Sequence, residues 1–440
     1  MLKKHEYLKT VRRLYPPLYS SLTLIGISNY KNFKILINER FTFREFIKTN
    51  NIWYYPKKET EQGNKIVFEE WSKPEKLKQV KKTVPKMEKK LINATKSTFV
   101  KLCEGYESYM PALVLVWMAD KPVEIRIKQL LSEKLPEEEA EHILNQLNIP
   151  LQDNFYKKEE YDLITTKNLK EHVKKYEWLH SRYGEKIPYT VEEAKEKLSK
   201  INKKEFLKKQ KEEKTKIKKA VNKAKKILGK KNNSIVDFLQ FIVYYRTQRT
   251  DIMNKSAYLF APKLEKIAKE KGLTYEQILY CTKDEILNKI PTIQIIKERI
   301  KDHTMIMEDG KIRCLHGEES RKIKEYFEEK ITNVKELKGE IACKGIVRGK
   351  VKLILDRKDF NKVNHGDIIV TSMTTPEMVP IMKKASAFIT NEGGITCHAA
   401  IISREMKKPC IINTNNATEV LKDNDLIEVN ANKGIIKIIK

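Results

Sequence analysis

One stretch of this 440-residue chain sets residue types at a spacing suited to chemistry: Thr390-Asn391-Glu392-Gly393-Gly394-Ile395-Thr396-Cys397-His398-Ala399-Ala400-Ile401-Ile402-Ser403-Arg404-Glu405. The apolar run Ala387-Phe388-Ile389 breaks at two glycines and resumes as small and apolar residues at helical spacing, which predicts strand, tight loop, helix. Thr396 is the expected N-cap, and His398 then falls in the first helical turn. Free amide N–H groups and the positive end of the helix dipole disfavour an imidazolium there and welcome an anion. A neutral imidazole so placed can attack a phosphoryl group, with Gly393, Gly394, Thr396 and Cys397 as support for the phosphate.

Other candidates are weaker. In Phe241-Ile242-Val243-Tyr244-Tyr245-Arg246-Thr247-Gln248-Arg249, Tyr245 and Arg249 share a helical side and Arg246 adjoins it. These three are candidate substrate-side residues, because arginine matches phosphate geometry and tyrosine stacks and hydrogen-bonds. The competing reading makes them a core tyrosine with surface arginines in ion pairs. Trp178-Leu179-His180-Ser181-Arg182 offers a similar mixture, but His180, like His365, reads as a helix-end or turn residue. The six cysteines show no CxxC pair and no histidine-rich ligand spacing, so neither a disulfide framework nor a metal site is expected.

Stepping outward to the elements, Phe33–Ile37 and Ile52–Tyr55 read as strands, with a hairpin at 61–64 leading to a strand at 65–68. Residues 1–75 thus form a small mixed region. Residues 76–330 carry long amphipathic helices over 75–92 (broken or kinked at Pro85), 137–147, 169–180, 191–200 and 204–228, with a strand pair around Asp309-Gly310. Residues 331–340 are polar and read as a linker. From 341 to 440, strands at 345–349, 351–355, 367–371, 388, 410–412, 426–429 and 435–439 alternate with helices after Pro376 and at His398. The expected fold class is multi-domain α+β: a largely helical N-terminal and middle region, then a compact C-terminal α/β domain.

Net charge is +29, from 88 basic and 59 acidic residues. The excess is mostly lysine interleaved with glutamate on helix faces, so a nucleic-acid partner is not expected. Without a signal-peptide core or an uncharged apolar run of about 18 residues, the expected compartment is the cytoplasm and no membrane contact is expected.

Over residues 340 to 440 the chain resembles the phosphohistidine swivelling domain of the phosphoenolpyruvate-utilising enzymes, the family of phosphoenolpyruvate synthase, pyruvate phosphate dikinase and rifampicin phosphotransferase. The resemblance rests on Gly393 to Glu405 with Lys408-Pro409, and on Ala342-Cys343-Lys344-Gly345 with Gly349, Gly366 to Thr371, Thr375-Pro376-Glu377 and Asn416-Ala417-Thr418. Asn413 and Asn424 depart from it, standing where the family often has glycine. It implies that His398 carries phosphate between distant sites as the domain rotates about the 331–340 linker. It also implies that an ATP-grasp nucleotide-binding protein in trans loads the histidine, using ATP and Mg²⁺. No ATP-grasp segment is legible upstream and no pyruvate-binding barrel follows, so the expectation is a phosphotransferase component with no tightly bound cofactor, whose small-molecule acceptor binds the helical region. A non-catalytic regulatory or binding protein retaining the domain is the alternative.

Overall fold

The structure is a computed structural model that describes residues 3–12, 14–327, 335–394 and 397–439. The chain divides into two units, Met1–Phe327 and Glu328–Lys440.

In the first unit, β1 (Tyr7–Arg12), β2 (Glu45–Thr49), β3 (Ile52–Pro56), β4 (Thr304–Glu308) and β5 (Lys311–Leu315) form an antiparallel sheet of order β1-β3-β2-β4-β5. The Asp309-Gly310 turn joins β4 to β5 with both residues at positive φ, as that dipeptide favours. Because β2 pairs with β4, residues 1–75 are not a separate region: their sheet is completed by strands some 250 residues downstream, and one apolar core runs from Tyr15 to Cys314. Two long helices, Phe99–Ser132 and Asn233–Glu270, pass through that core.

Several expected elements differ. Phe33 ends a short helix, Tyr30–Phe33, and Leu36 and Ile37 lie buried in the turn that follows, so the apolar run signals burial rather than a strand. Residues 57–71 form one helix in place of the hairpin and strand, burying Thr60, Gly63, Ile66, Val67, Glu70 and Trp71 at helical spacing. Gly63 serves close packing: a Cβ there would lie 2.7 Å from Phe41 Cζ and 2.1 Å from Met118 Cε. The helix Pro74–Ala94 continues through Pro85. The lysine-rich helix Lys203–Leu228 is exposed over its first half but buries Ile217, Ala220, Val221, Ala224 and Leu228 over its second.

In the second unit, β6 (Glu336–Lys338), β7 (Glu340–Cys343), β8 (Ile346–Leu353), β9 (Ile368–Thr371), β10 (Ala387–Thr390), β11 (Cys410–Ile412), β12 (Leu426–Asn430) and β13 (Ile435–Ile438) form one sheet of order β6-β13-β12-β8-β9-β10-β11-β7. Strands β8 to β11 are mutually parallel and the other pairs antiparallel. Only Gly339 separates β6 from β7, which lie at opposite ends of that order, so the sheet curls until its edges meet. No side chain fits at this seam, since a Cβ on Gly339 would sit 2.6 Å from Ile411 Cγ2 and from the Ile412 carbonyl oxygen. The expected linker is therefore part of the fold over 336–338, where Leu337 is buried and pairs with Ile436; residues 331–334 lie outside the described residues. The two strands expected at 345–355 are a single strand, β8.

Strand periodicity sorts side chains between two cores. Ile368, Val370, Ala387, Ile389 and Ile411 point to one face, while Ile369, Phe388, Cys410 and Ile412 point to the other, where Ala399, Ala400 and Met382 cover them. Burial on both faces explains why these strands read as unbroken apolar runs. Asn413 and Asn424 adopt φ of +56° and +74°, a region asparagine tolerates better than other side-chain-bearing residues, which accounts for their standing in place of glycine.

Candidate functional site

Parallel pairing of β9 and β10 in register Thr390↔Thr371 sends their following loops out at the same end of the sheet. The carboxyl ends of parallel strands are where α/β sheets place ligand sites. One loop carries Thr374, and the other runs through Gly393-Gly394 to the helix His398–Met406. Amides of Asn391 and Glu392 donate to the Thr371 and Ser372 carbonyls (3.1 and 3.0 Å), tying the loops together. The Asn391 side chain donates to Thr418 Oγ1 (2.6 Å) and accepts from Thr418 N (2.9 Å), anchoring the second loop on 416–418.

Gly393 has φ +123°, and a Cβ there would meet Cys397 Sγ at 2.7 Å, so this position needs glycine on both counts. Gly394 is open to solvent, and its carbonyl accepts the Cys397 amide (2.9 Å). Thr396 lies outside the described residues. Cys397 occupies the N-cap position without a side-chain cap hydrogen bond, and burial raises its thiol pKa despite opposing backbone amides of Ala400 and Ala399. That makes it a packing residue rather than a thiolate nucleophile.

His398 is the first residue of the helix and is half-buried. Its Nδ1 lies 2.7 Å from Thr374 Oγ1. Burial lowers its pKa to about 4, with the Glu377 carboxylate pulling the other way, so the ring is neutral near pH 7. A neutral imidazole has one N–H and one lone pair; in the tautomer whose Nδ1–H donates to Thr374 Oγ1, the lone pair is on Nε2. Sequence reading missed Thr374, since only the β9–β10 register brings residues 24 positions apart together. Arg404 donates from Nε to the Ala400 carbonyl of its own helix (2.9 Å). Lys408 donates to the carbonyls of Met382, Lys383 and Ala385, capping the helix Val379–Lys384.

The other candidates lie in the first unit. Tyr245 is buried against Phe241 and Tyr244, and burial raises its pKa far above the usual phenol value. Arg246 makes a forked ion pair with Asp120, Nη2 to Oδ1 2.6 Å, and reaches Glu124 at 3.1 Å. Arg249 donates to the Leu113 carbonyl (2.8 Å) and its own carbonyl accepts from Tyr109 (3.3 Å). Arg246 and Arg249 thus tie the helix Asn233–Glu270 to the helix Phe99–Ser132, while Tyr245 packs against aromatic rings of its own helix. Nearby, Glu88 and Gln248 form a hydrogen-bonded pair that sequence reading did not single out, and burial raises the Glu88 pKa to about 7. Among the described residues no group of three or more His, Cys, Asp or Glu could hold a metal ion, and no helix is long and apolar enough to cross a membrane.

Residues 363–434 match the family described as "PEP-utilising enzyme, mobile domain". A probable phosphoenolpyruvate synthase of Methanothermobacter thermautotrophicus is 41% identical over 157 residues, covering 34% of this chain and 23% of the relative. That of Archaeoglobus fulgidus is 44% identical over 167 residues (35% and 22%), and the phosphoenolpyruvate synthase of Pyrococcus furiosus 35% over 204 (43% and 23%). The chain spans less than a quarter of the length of these relatives. With a histidine at the start of its helix and that match over residues 363–434, the C-terminal unit carries a mobile domain of the phosphoenolpyruvate-utilising enzyme family.

Proposed function

We propose that the protein is a phosphotransferase component in which His398 Nε2 receives a phosphoryl group, holds it, and passes it to a second site. The observation that carries this reading is the half-buried, neutral imidazole with Nδ1 engaged by Thr374. Attack forms the N–P bond as the bond from phosphorus to the donor oxygen breaks, and the helix N-terminus faces the resulting anion. An ATP-grasp protein in trans loads the histidine using ATP and Mg²⁺, and the helical unit binds the small-molecule acceptor. Little covalent work is left to other side chains, because phosphoryl transfer depends chiefly on positioning and charge.

Incubation with γ- or β-labelled ATP, Mg²⁺ and a candidate ATP-grasp partner tests the first half. The expected result is acid-labile label on the wild type and none on His398→Ala. Label that stays on His398 through every candidate metabolite would turn the reading towards a regulatory protein, and label retained by His398→Ala would refute the assignment of the carrier.

A further inference from the structure

Cys343 and Cys410 are register partners across the antiparallel β7–β11 pair, beside a β-bulge that shifts the register between Cys410 and Ile411. Opposed residues in a regular antiparallel ladder have Cα atoms about 4.5–5.5 Å apart, inside the roughly 4.4–6.8 Å window of a disulfide, and both cysteines pack on the same apolar cluster despite the bulge. Both belong to the apolar cluster beneath the His398 helix, Cys410 fully buried and Cys343 half-exposed at its margin. Strand β7 is the end strand of the sheet order, with β11 as its strand neighbour, and Cys343 keeps partial exposure there.

We propose that Cys343 and Cys410 form an oxidation-sensitive pair that closes to a disulfide with hydrogen peroxide. The half-exposed Cys343 reacts first: its thiolate attacks peroxide, an S–O bond forms, the O–O bond breaks, and water leaves, giving a sulfenic acid. The Cys410 sulfur then attacks the Cys343 sulfur, the S–S bond forms, the S–O bond breaks, and the oxygen departs as water with the Cys410 proton. Two thiols are oxidised by two electrons and one peroxide is reduced to two waters. Burial raises the Cys410 thiol to about 12, which disfavours it as the first nucleophile; in the second step its fixed position beside the Cys343 sulfur offsets a low thiolate fraction. The bond would join β7 to β11 on the face that supports Ala399 and Ala400, the residues after His398. It would tie down the carrier unit without touching the imidazole.

Full-length protein treated with hydrogen peroxide and then alkylated under denaturing conditions provides the test. Of six cysteines, two should become resistant to alkylation, with a mass loss of about two daltons reversed by dithiothreitol. Peptide mapping should join 343 to 410. Cys343→Ser, at the half-exposed edge position, should reduce the crosslink to background, whereas Cys397→Ser should retain it. Three outcomes overturn the proposal: a crosslink mapping to Cys397, one that survives Cys343→Ser, or progression of Cys343 to sulfinic acid with no pairing.

Discussion

At the scale of single residues, His398 and Thr374 divide the work at the helix start. Loss of the Thr374 hydroxyl removes a neutral hydrogen bond, worth about 0.5–1.5 kcal/mol, so Thr374→Val should slow phosphate loading roughly 2- to 13-fold. Thr374→Ser should restore most of it, and loading at the wild-type rate in Thr374→Val would sink the positioning role. Because burial holds the His398 pKa at about 4, an NMR titration of its ring should stay flat from pH 8 to below 6 and turn only towards pH 4; an inflection near the ordinary value of about 6.5 would contradict the site geometry. A second buried base sits in the first unit. Lys48 donates to the Tyr15 carbonyl (2.5 Å) and to Asn51 Oδ1 (3.3 Å), with His303 Nε2 at 3.4 Å, and burial lowers its pKa to about 7. Between that value and the unfolded value of about 10.4, the unfolded chain holds a proton that the folded chain has released. Lys48 should therefore contribute stability to the first unit that grows with pH from 7 to 10, opposed at the upper end by the buried thiols of Cys103, Cys281 and Cys314, and Lys48→Met should remove that contribution in urea titrations. An unchanged slope in the variant would place the proton elsewhere.

Elements were legible where pattern and burial coincide. The strands at 368–371, 387–390 and 410–412 were readable because both faces are covered, and His398 because glycines, small residues and a histidine mark one helix start. The helix Phe99–Ser132 was not, since it buries residues on every side and contains Pro111 and Pro122, leaving no amphipathic stripe to read. Gly63 was read as a turn because spacing alone does not distinguish a glycine that bends the chain from one that lets helices touch. That second use is testable. Alanine there gains about 1 kcal/mol of helix propensity, but forcing a methyl group against Phe41 and Met118 costs about 1–3 kcal/mol. Gly63→Ala should thus lower the urea midpoint, and a raised midpoint would show that Met118 and Phe41 yield without cost.

For the whole molecule, separate cores in the two units predict separate unfolding events. Among the described residues, the apolar clusters of the second unit draw on residues 337–438, and the main core of the first on residues before 327. Calorimetry should resolve two transitions, with Gly63→Ala moving only one of them and Gly393→Ala only the other. A single transition displaced by both substitutions would show the units to melt as one.

The seam at Gly339 bears on how the second unit comes into being. Leu337 must find Ile436 for the curled sheet to close, a pairing across about a hundred residues, and such distant contacts reward the chain only after a long loop has been drawn in. On the ribosome, the parallel strands β8 to β11 are complete well before the segment that seals them has emerged. The nascent unit passes through a stage with β6 still unpaired, and its refolding should be slow compared with helical assemblies of similar size.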